Sequence, residues 1–192
     1  MANIYGKECY ALILYHKKDL SVRNLEPEDA KLLVKWLSDP VVLEYYEGRD
    51  RPHDLAMVQE HFYEDTPEGM IRAIVRYGSE DIGYVQFYPI DDDERAEYGY
   101  TDFAGSIYGM DQFIGEPRLW NKGIGSQLVR ETVIFLLEIT RADKIVMDPQ
   151  CWNHRALRVY EKNGFVRKKL LPEHEWHEGE YKDCWLIEYC GT

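Results

Sequence analysis

Residues 19–25 (Asp-Leu-Ser-Val-Arg-Asn-Leu) alternate between apolar and polar positions, the pattern of a half-buried strand. The period then lengthens. Pro27 opens a predicted helix whose first turn holds Glu28 and Asp29, where the helix dipole favours acids. Ala30, Leu33, Val34 and Leu37 recur on one face, and Ser38-Asp39-Pro40 stops the run. A second helical stretch over about 54–63 carries Leu55, Val58 and Phe62. Strand-like runs follow at 70–77, 82–90 and 106–114; a hairpin turn at Gly78–Asp81 joins the first two, and an acidic loop, 91–102, joins the second to the third. Residues 122–138 have helical spacing, with Leu128, Val129, Thr132, Val133 and Leu136 on one face. Lys144–Asp148 reads as a short buried strand, and Asn153–Lys162 as a helix with Asn153 at its N-cap and Asn163-Gly164 as its stop. Strands at about 165–170 and 181–189 finish the chain. The order β-α-α-β-β-β-α-β-α-β-β mixes hairpins with crossover units. It predicts an α/β fold with a mixed central sheet of about seven strands flanked by helices. No repeat or linker interrupts it, so 19–192 is one expected domain, preceded by an N-terminal arm or extra strand over 1–18.

At 192 residues and 45% hydrophobic, such a domain can bury a core without disulfides or metal. The 15 Tyr and 5 Trp suit either an aromatic core or a binding surface. No apolar run approaches the ~20 residues that span a bilayer, and Tyr10–Tyr15 is too short for a secretory segment, so a cytoplasmic protein that does not enter membranes is expected. Cys9, Cys151, Cys184 and Cys190 show no metal-ligand spacing, and no metal is expected. Cys151 and His154 stand three apart, a bare suggestion of a nucleophile and base.

The net charge of −12 is local. Residues 80–102 hold eight acids and one base, residues 173–188 six acids and one base, and the remainder balances at 21 of each. Such zones either collect cations or only aid solubility. They argue against nucleic acid, whose phosphates need a basic face.

Two segments carry the chemistry. In Trp120-Asn-Lys-Gly-Ile-Gly-Ser-Gln127, Gly123 and Gly125 open a helix, so the backbone can approach a ligand closely and the helix amides form an anion cradle fit for a pyrophosphate. The spacing is neither that of a Walker loop nor that of a dinucleotide fingerprint. In Asn153-His-Arg-Ala-Leu-Arg-Val-Tyr-Glu-Lys-Asn-Gly-Phe165, Asn153 and Tyr160 share a helix face with Ala156 between them. Together the two segments resemble the GCN5-related N-acetyltransferase superfamily. Tyr108-Gly-Met-Asp-Gln-Phe-Ile-Gly-Glu-Pro117, Trp36–Asp50 and Leu171-Pro-Glu-His-Glu-Trp-His-Glu-Gly179 narrow the resemblance to the aminoglycoside 6′-N-acetyltransferases, over about residues 20–190.

The resemblance implies an enzyme that moves acetyl from acetyl-CoA to an amino group of a polycationic aminoglycoside, by direct transfer in a ternary complex. It implies that Lys122, Gly123, Ile124, Gly125 and Ser126 hold the pyrophosphate. Gln112, Phe113 and Ile114 would lie along the acetyl-pantetheine arm, with amides near Gln112 or Phe113 serving the carbonyl oxygen. Asn153 and Ala156 would contact the arm, and Tyr160 the sulfur. Asp111 is the implied base or substrate anchor and Asp148 a residue of the antibiotic site. A late acidic loop with Glu173, Glu175 and Glu178 would close over the substrate, and Tyr46, with Tyr45 or Tyr63, would pack on its rings. Trp120 departs from the Gln or Arg usual there. Another amine, such as a polyamine or siderophore precursor, or a non-catalytic polycation-binding module, are the competing readings.

Overall fold

The computed structural model describes residues 12–64 and 66–191. One sheet of eight strands runs through it in the order β1-β2-β3-β4-β5-β6-β8-β7. The strands are β1 (Ile13–Lys17), β2 (Leu20–Asn24), β3 (Ile71–Tyr77), β4 (Glu80–Pro89), β5 (Ile107–Ile114), β6 (Lys144–Met147), β7 (Phe165–His177) and β8 (Glu180–Tyr189). Neighbours pair antiparallel except β5 and β6. The expected seven strands become eight because β1 forms; residues 1–11 lie outside the described residues. β1 is anchored by Tyr15, whose ring lies 5.2 Å from Phe135 and whose hydroxyl shares a 2.6 Å hydrogen bond with Thr132.

The helices are α1 (Ala30–Trp36), α2 (Pro40–Leu43), α3 (Leu55–Gln59), α4 (Asp92–Tyr98), α5 (Ile124–Glu138) and α6 (His154–Lys162). α3 continues into a π-helical turn at Glu60–Glu64. α4 occupies what the pattern suggested was a loop. Its sequence is nearly all polar, but Asp91 and Glu94 form a reciprocal capping box, three acids sit in its first turn, and left-handed Gly99 ends it. Tyr98 is its one buried residue.

Burial sorts onto two faces of the sheet. Leu128, Val129, Val133 and Leu136 of α5 pack on Val22, Val75, Val85 and Phe87, all nearly or fully buried. Opposite, Leu33, Trp36 and Val58 of α1 and α3 pack on Ile74, Tyr84 and Phe113. Each fully buried Leu or Val contributes about 1.5–3 kcal/mol. Trp36 is wholly buried with its indole N–H satisfied by Glu116 at 3.1 Å, which Lys35 also contacts.

The last two strands are longer than the pattern suggested. β7 runs through Pro172, tolerable because β7 is an edge strand, so Glu173 and Glu175 belong to a hairpin arm and not to a loop. Glu178 and Gly179 make its turn, both with positive φ.

Candidate active site

The site begins where β5 and β6 part. They pair at Ile107–Lys144, Tyr108–Ile145 and Gly109–Val146, and no further. Beyond that, a pocket of about 650 Å³ is lined by Met110–Ile114 on one side and Met147–Gln150 on the other. Ile107 accepts from Ile90, and Gly115 donates to Ile82, so odd-numbered residues of β5 turn their peptide groups toward β4. The amides of Gln112 and Ile114 therefore face the gap, whereas that of Phe113, one of two expected near a carbonyl oxygen, faces β4. On the gap side the Trp120 indole donates to the Ile114 carbonyl at 2.7 Å.

Side chains alternate across the same strand. Asp111 and Phe113 share the face of α1–α3, where Phe113 packs on Tyr46 at 4.7 Å between ring centroids. Directly opposite Asp111 in register is Gln86, whose amide donates to Oδ2 at 2.9 Å, while Tyr88 donates at 3.2 Å. The Tyr84 hydroxyl donates to Gln86 and fixes its amide orientation. Gly109 makes room for this arrangement, since a Cβ there would stand 2.7 Å from the Tyr88 ring. Burial pushes the Asp111 carboxyl up, Asp148 adds to the rise, the two hydrogen bonds oppose it, and the result is about 7. A carboxylate tuned there suits proton transfer at neutral pH.

On the other face Gln112 donates to the Tyr160 hydroxyl at 2.8 Å, and its own carbonyl oxygen is buried without a partner among the described residues. Burial pushes the Tyr160 phenol well above its ordinary range, so it keeps its proton. Asn153 caps α6 through its side-chain oxygen, which accepts from Ala156 at 3.1 Å; Asn153, Ala156 and Tyr160 all line the pocket. Asn163 ties α6 to α5 by donating to Ser126 at 2.9 Å.

The glycine loop opens α5 as expected. Gly123 is its left-handed N-cap (φ 82°), a conformation that disfavours side chains, and a Cβ at Gly123 or Gly125 would meet nothing within 4 Å. The loop is thus open to close approach at the positive end of a fifteen-residue helix with no side-chain cap, where first-turn amides lack intrahelical partners, which fits a pyrophosphate. Gly123, Gly125 and Ser126 line the pocket. Ile124 does not: its side chain is buried in the core, leaving only its amide for a ligand. Lys122 is exposed and also outside the lining, because left-handed Asn121 and Gly123 turn the chain on either side of it.

The acids divide likewise. Asp148 lines the pocket, with Tyr98 donating to its Oδ2 at 2.9 Å and His174 Nε2 at 2.8 Å. Burial raises its carboxyl, but the His174 and Tyr98 hydrogen bonds outweigh that and hold it below the usual range. Glu175 lines the pocket beside it, raised by desolvation at the wall and by Asp148. Glu173 is exposed outside the lining, its backbone amide held by Asp183. Glu178 is also outside: Arg49 grips it through a backbone amide at 3.0 Å and guanidinium Nη2 at 2.6 Å, which pulls its carboxyl down to about 2. Tyr45 and Tyr46 line the pocket; Tyr63 instead donates to the Glu26 carbonyl. The sequence reading missed Gln86, Tyr88, Arg155 and His174, though Arg155 and His174 lie inside motifs it used.

Cys151 and His154 make no pair: burial and Asp183 push the thiol up, away from a nucleophilic thiolate, and the imidazole is exposed. Among the described residues no cluster of three or more His, Cys, Asp or Glu could hold a metal, and no helix is long and apolar enough to cross a membrane.

A family model described as an acetyltransferase (GNAT) domain matches residues 26–172. An aminoglycoside N(6′)-acetyltransferase type 1 from Klebsiella pneumoniae is 29% identical over 161 residues, 83% of this chain and 80% of that protein. A kanamycin resistance protein from Rhizobium radiobacter is 36% identical over 75 residues, 39% of this chain and 69% of the relative. Among solved structures, the aminoglycoside acetyltransferase AAC(6′)-Ib in complex with ribostamycin and coenzyme A aligns with a TM-score of 0.73 at 26% identity, covering 89% of this chain and 93% of that one. A spermidine N-acetyltransferase from Vibrio cholerae with CoA and spermine shares the fold at TM-score 0.70 and 20% identity, over 90% of this chain and 95% of that one.

Proposed function

This chain belongs to the GNAT acetyltransferase family, and we propose that it transfers acetyl from acetyl-CoA to the 6′-amino group of an aminoglycoside. The observation that carries the substrate reading is the pocket's division. Its glycine-loop end offers amides to an anion; its other end gathers Glu47, Asp111, Asp148 and Glu175 beside Tyr46. A polycationic sugar needs that combination of carboxylates and a ring wall. The relatives named for aminoglycosides and kanamycin point the same way. A slender polyamine would use the carboxylates but leave the ring wall idle.

The donor, when bound, supplies an acetyl group activated as a thioester. Gly123, Ile124, Gly125 and Ser126 offer backbone amides to its pyrophosphate, and Asn153 and Ala156 line the route of its arm toward the gap between β5 and β6. Asp148 and Glu175 hold ammonium groups of the substrate; the reacting one first loses a proton to water, and Asp111 takes a second, directly or through water, as the free amine forms its bond to carbonyl carbon. The Gln112 and Ile114 amides face the gap, where they meet the carbonyl oxygen as it gains charge. Tyr160 gives its proton to sulfur as the carbon–sulfur bond breaks. No side chain is acylated in this scheme.

A thiol-release assay over an amine panel tests the reading. Kanamycin and ribostamycin should release CoA with kcat/KM far above spermidine and N-hydroxyputrescine; a preference for the linear amines would overturn it.

A further inference from the structure

Lys122 of the glycine loop is exposed and does not line the pocket, so the loop itself adds no side-chain cation to the lining. Four acids at the other end make the pocket's field hostile to a phosphate.

Two guanidiniums line the pocket, those of Arg51 and Arg155, and Arg155 is the one stacked on Trp120 at the start of the glycine-loop segment. Arg155 is the second residue of α6 and lines the same pocket as Gly123, Gly125 and Ser126. Its Cζ lies 4.1 Å from the Tyr45 ring centroid and 4.0 Å from that of Trp120. The two rings meet edge to face at 5.7 Å, and Trp120 is itself fixed by its bond to the Ile114 carbonyl. Rings attract a cation to their faces, and the N–H groups on the side away from the two rings remain to donate. No carboxylate pairs with Arg155 among the described residues, in contrast to Arg23, Arg49, Arg76, Arg118 and Arg167.

We propose that Arg155, clamped by Tyr45 and Trp120, binds the phosphates of the donor's nucleotide end, as the side-chain charge beside the glycine loop's amides. The inference rests on acetyl-CoA being the donor. It also gives Trp120 a role: the indole is a platform that holds the cation arriving from α6.

Titration calorimetry needs no acceptor and so separates this proposal from the aminoglycoside reading. Wild type, Arg155→Met and Arg155→Lys are titrated with CoA and 3′-dephospho-CoA, and with pantetheine followed by NMR shifts. Loss of a charge-assisted contact should weaken CoA binding by about ten- to a hundredfold in Arg155→Met. Arg155→Lys, which keeps the charge, should lose less, and pantetheine, which has no pyrophosphate, should bind all three alike. A penalty that survives removal of the 3′-phosphate assigns the contact to the pyrophosphate; one that disappears assigns it to the 3′-phosphate. Unchanged CoA affinity in Arg155→Met, or an equal loss for pantetheine, would overturn the proposal. Wild type that binds no CoA would sink the donor assignment, and Arg155 with it.

Discussion

Asp148 and His174, twenty-six residues apart, meet through a 2.8 Å contact between Oδ2 and Nε2. The other ring nitrogen faces Glu97 at 3.0 Å, so both nitrogens address carboxylates, the geometry of an imidazolium. The bond to Asp148 raises the ring's pKa, with Glu97 adding to it. A raised folded value means stabilisation that is complete below the unfolded pKa of about 6.5 and is lost as pH rises through the folded value. His174→Gln should therefore show its largest Tm deficit near pH 6 and a smaller one at pH 9, by differential scanning fluorimetry. A deficit independent of pH would mean that the ring only packs.

Asp111 sets the second pH effect. With its carboxyl at about 7, kcat/KM should climb with pH through that value as the carboxylate becomes available to take a proton. Asp111→Asn should lose about 10²–10⁴ in kcat and lose that limb of the profile, while CoA still binds. Stability runs the opposite way. The unfolded carboxyl ionises near 4 and the folded one only near 7, so stability falls as pH rises between them. Asp111→Asn should thus gain in Tm relative to wild type at pH 8 and gain nothing at pH 3.

Burial keeps the Tyr160 phenol protonated, and because its oxygen accepts from Gln112 its own O–H is left to serve the departing sulfur. Tyr160→Phe should lower kcat by about 10² with little change in CoA affinity. Single-turnover rates measured beside CoA titrations separate the two effects.

Much of this was legible in contiguous stretches. The glycine loop and α6 announce themselves because a backbone turn, a cap and a helix face are local properties of Gly123, Asn153 and Tyr160. What was not legible depends on pairing. Gln86 reaches Asp111 only because the β4–β5 register sets them opposite, and nothing near Gln86 in the chain indicates that. Arg155 carries no local signal of its own, because the rings that close on it, Tyr45 and Trp120, come from two other segments. Polar α4 was hidden because its stability comes from caps and a single buried Tyr98, and Pro172 disguised an edge strand as a loop.

The pocket acids should make recognition electrostatic. Raising ionic strength should lower kcat/KM for kanamycin steeply while kcat changes little, because salt screens encounter more than the bound chemistry. Glu175→Gln should raise KM for kanamycin and reduce that salt slope. A slope unchanged in the variant would remove Glu175 from substrate binding.

An amide cradle at 123–126 that delivers a thioester to an amine held beside Asp111 is the core of the mechanism. Its most direct test is kanamycin incubated with the protein and acetyl-CoA, the product weighed by mass spectrometry and its modified nitrogen located by NMR. The expected product carries one acetyl group, on the 6′ nitrogen. Kanamycin recovered unmodified, or acetylated at a different nitrogen, would contradict it.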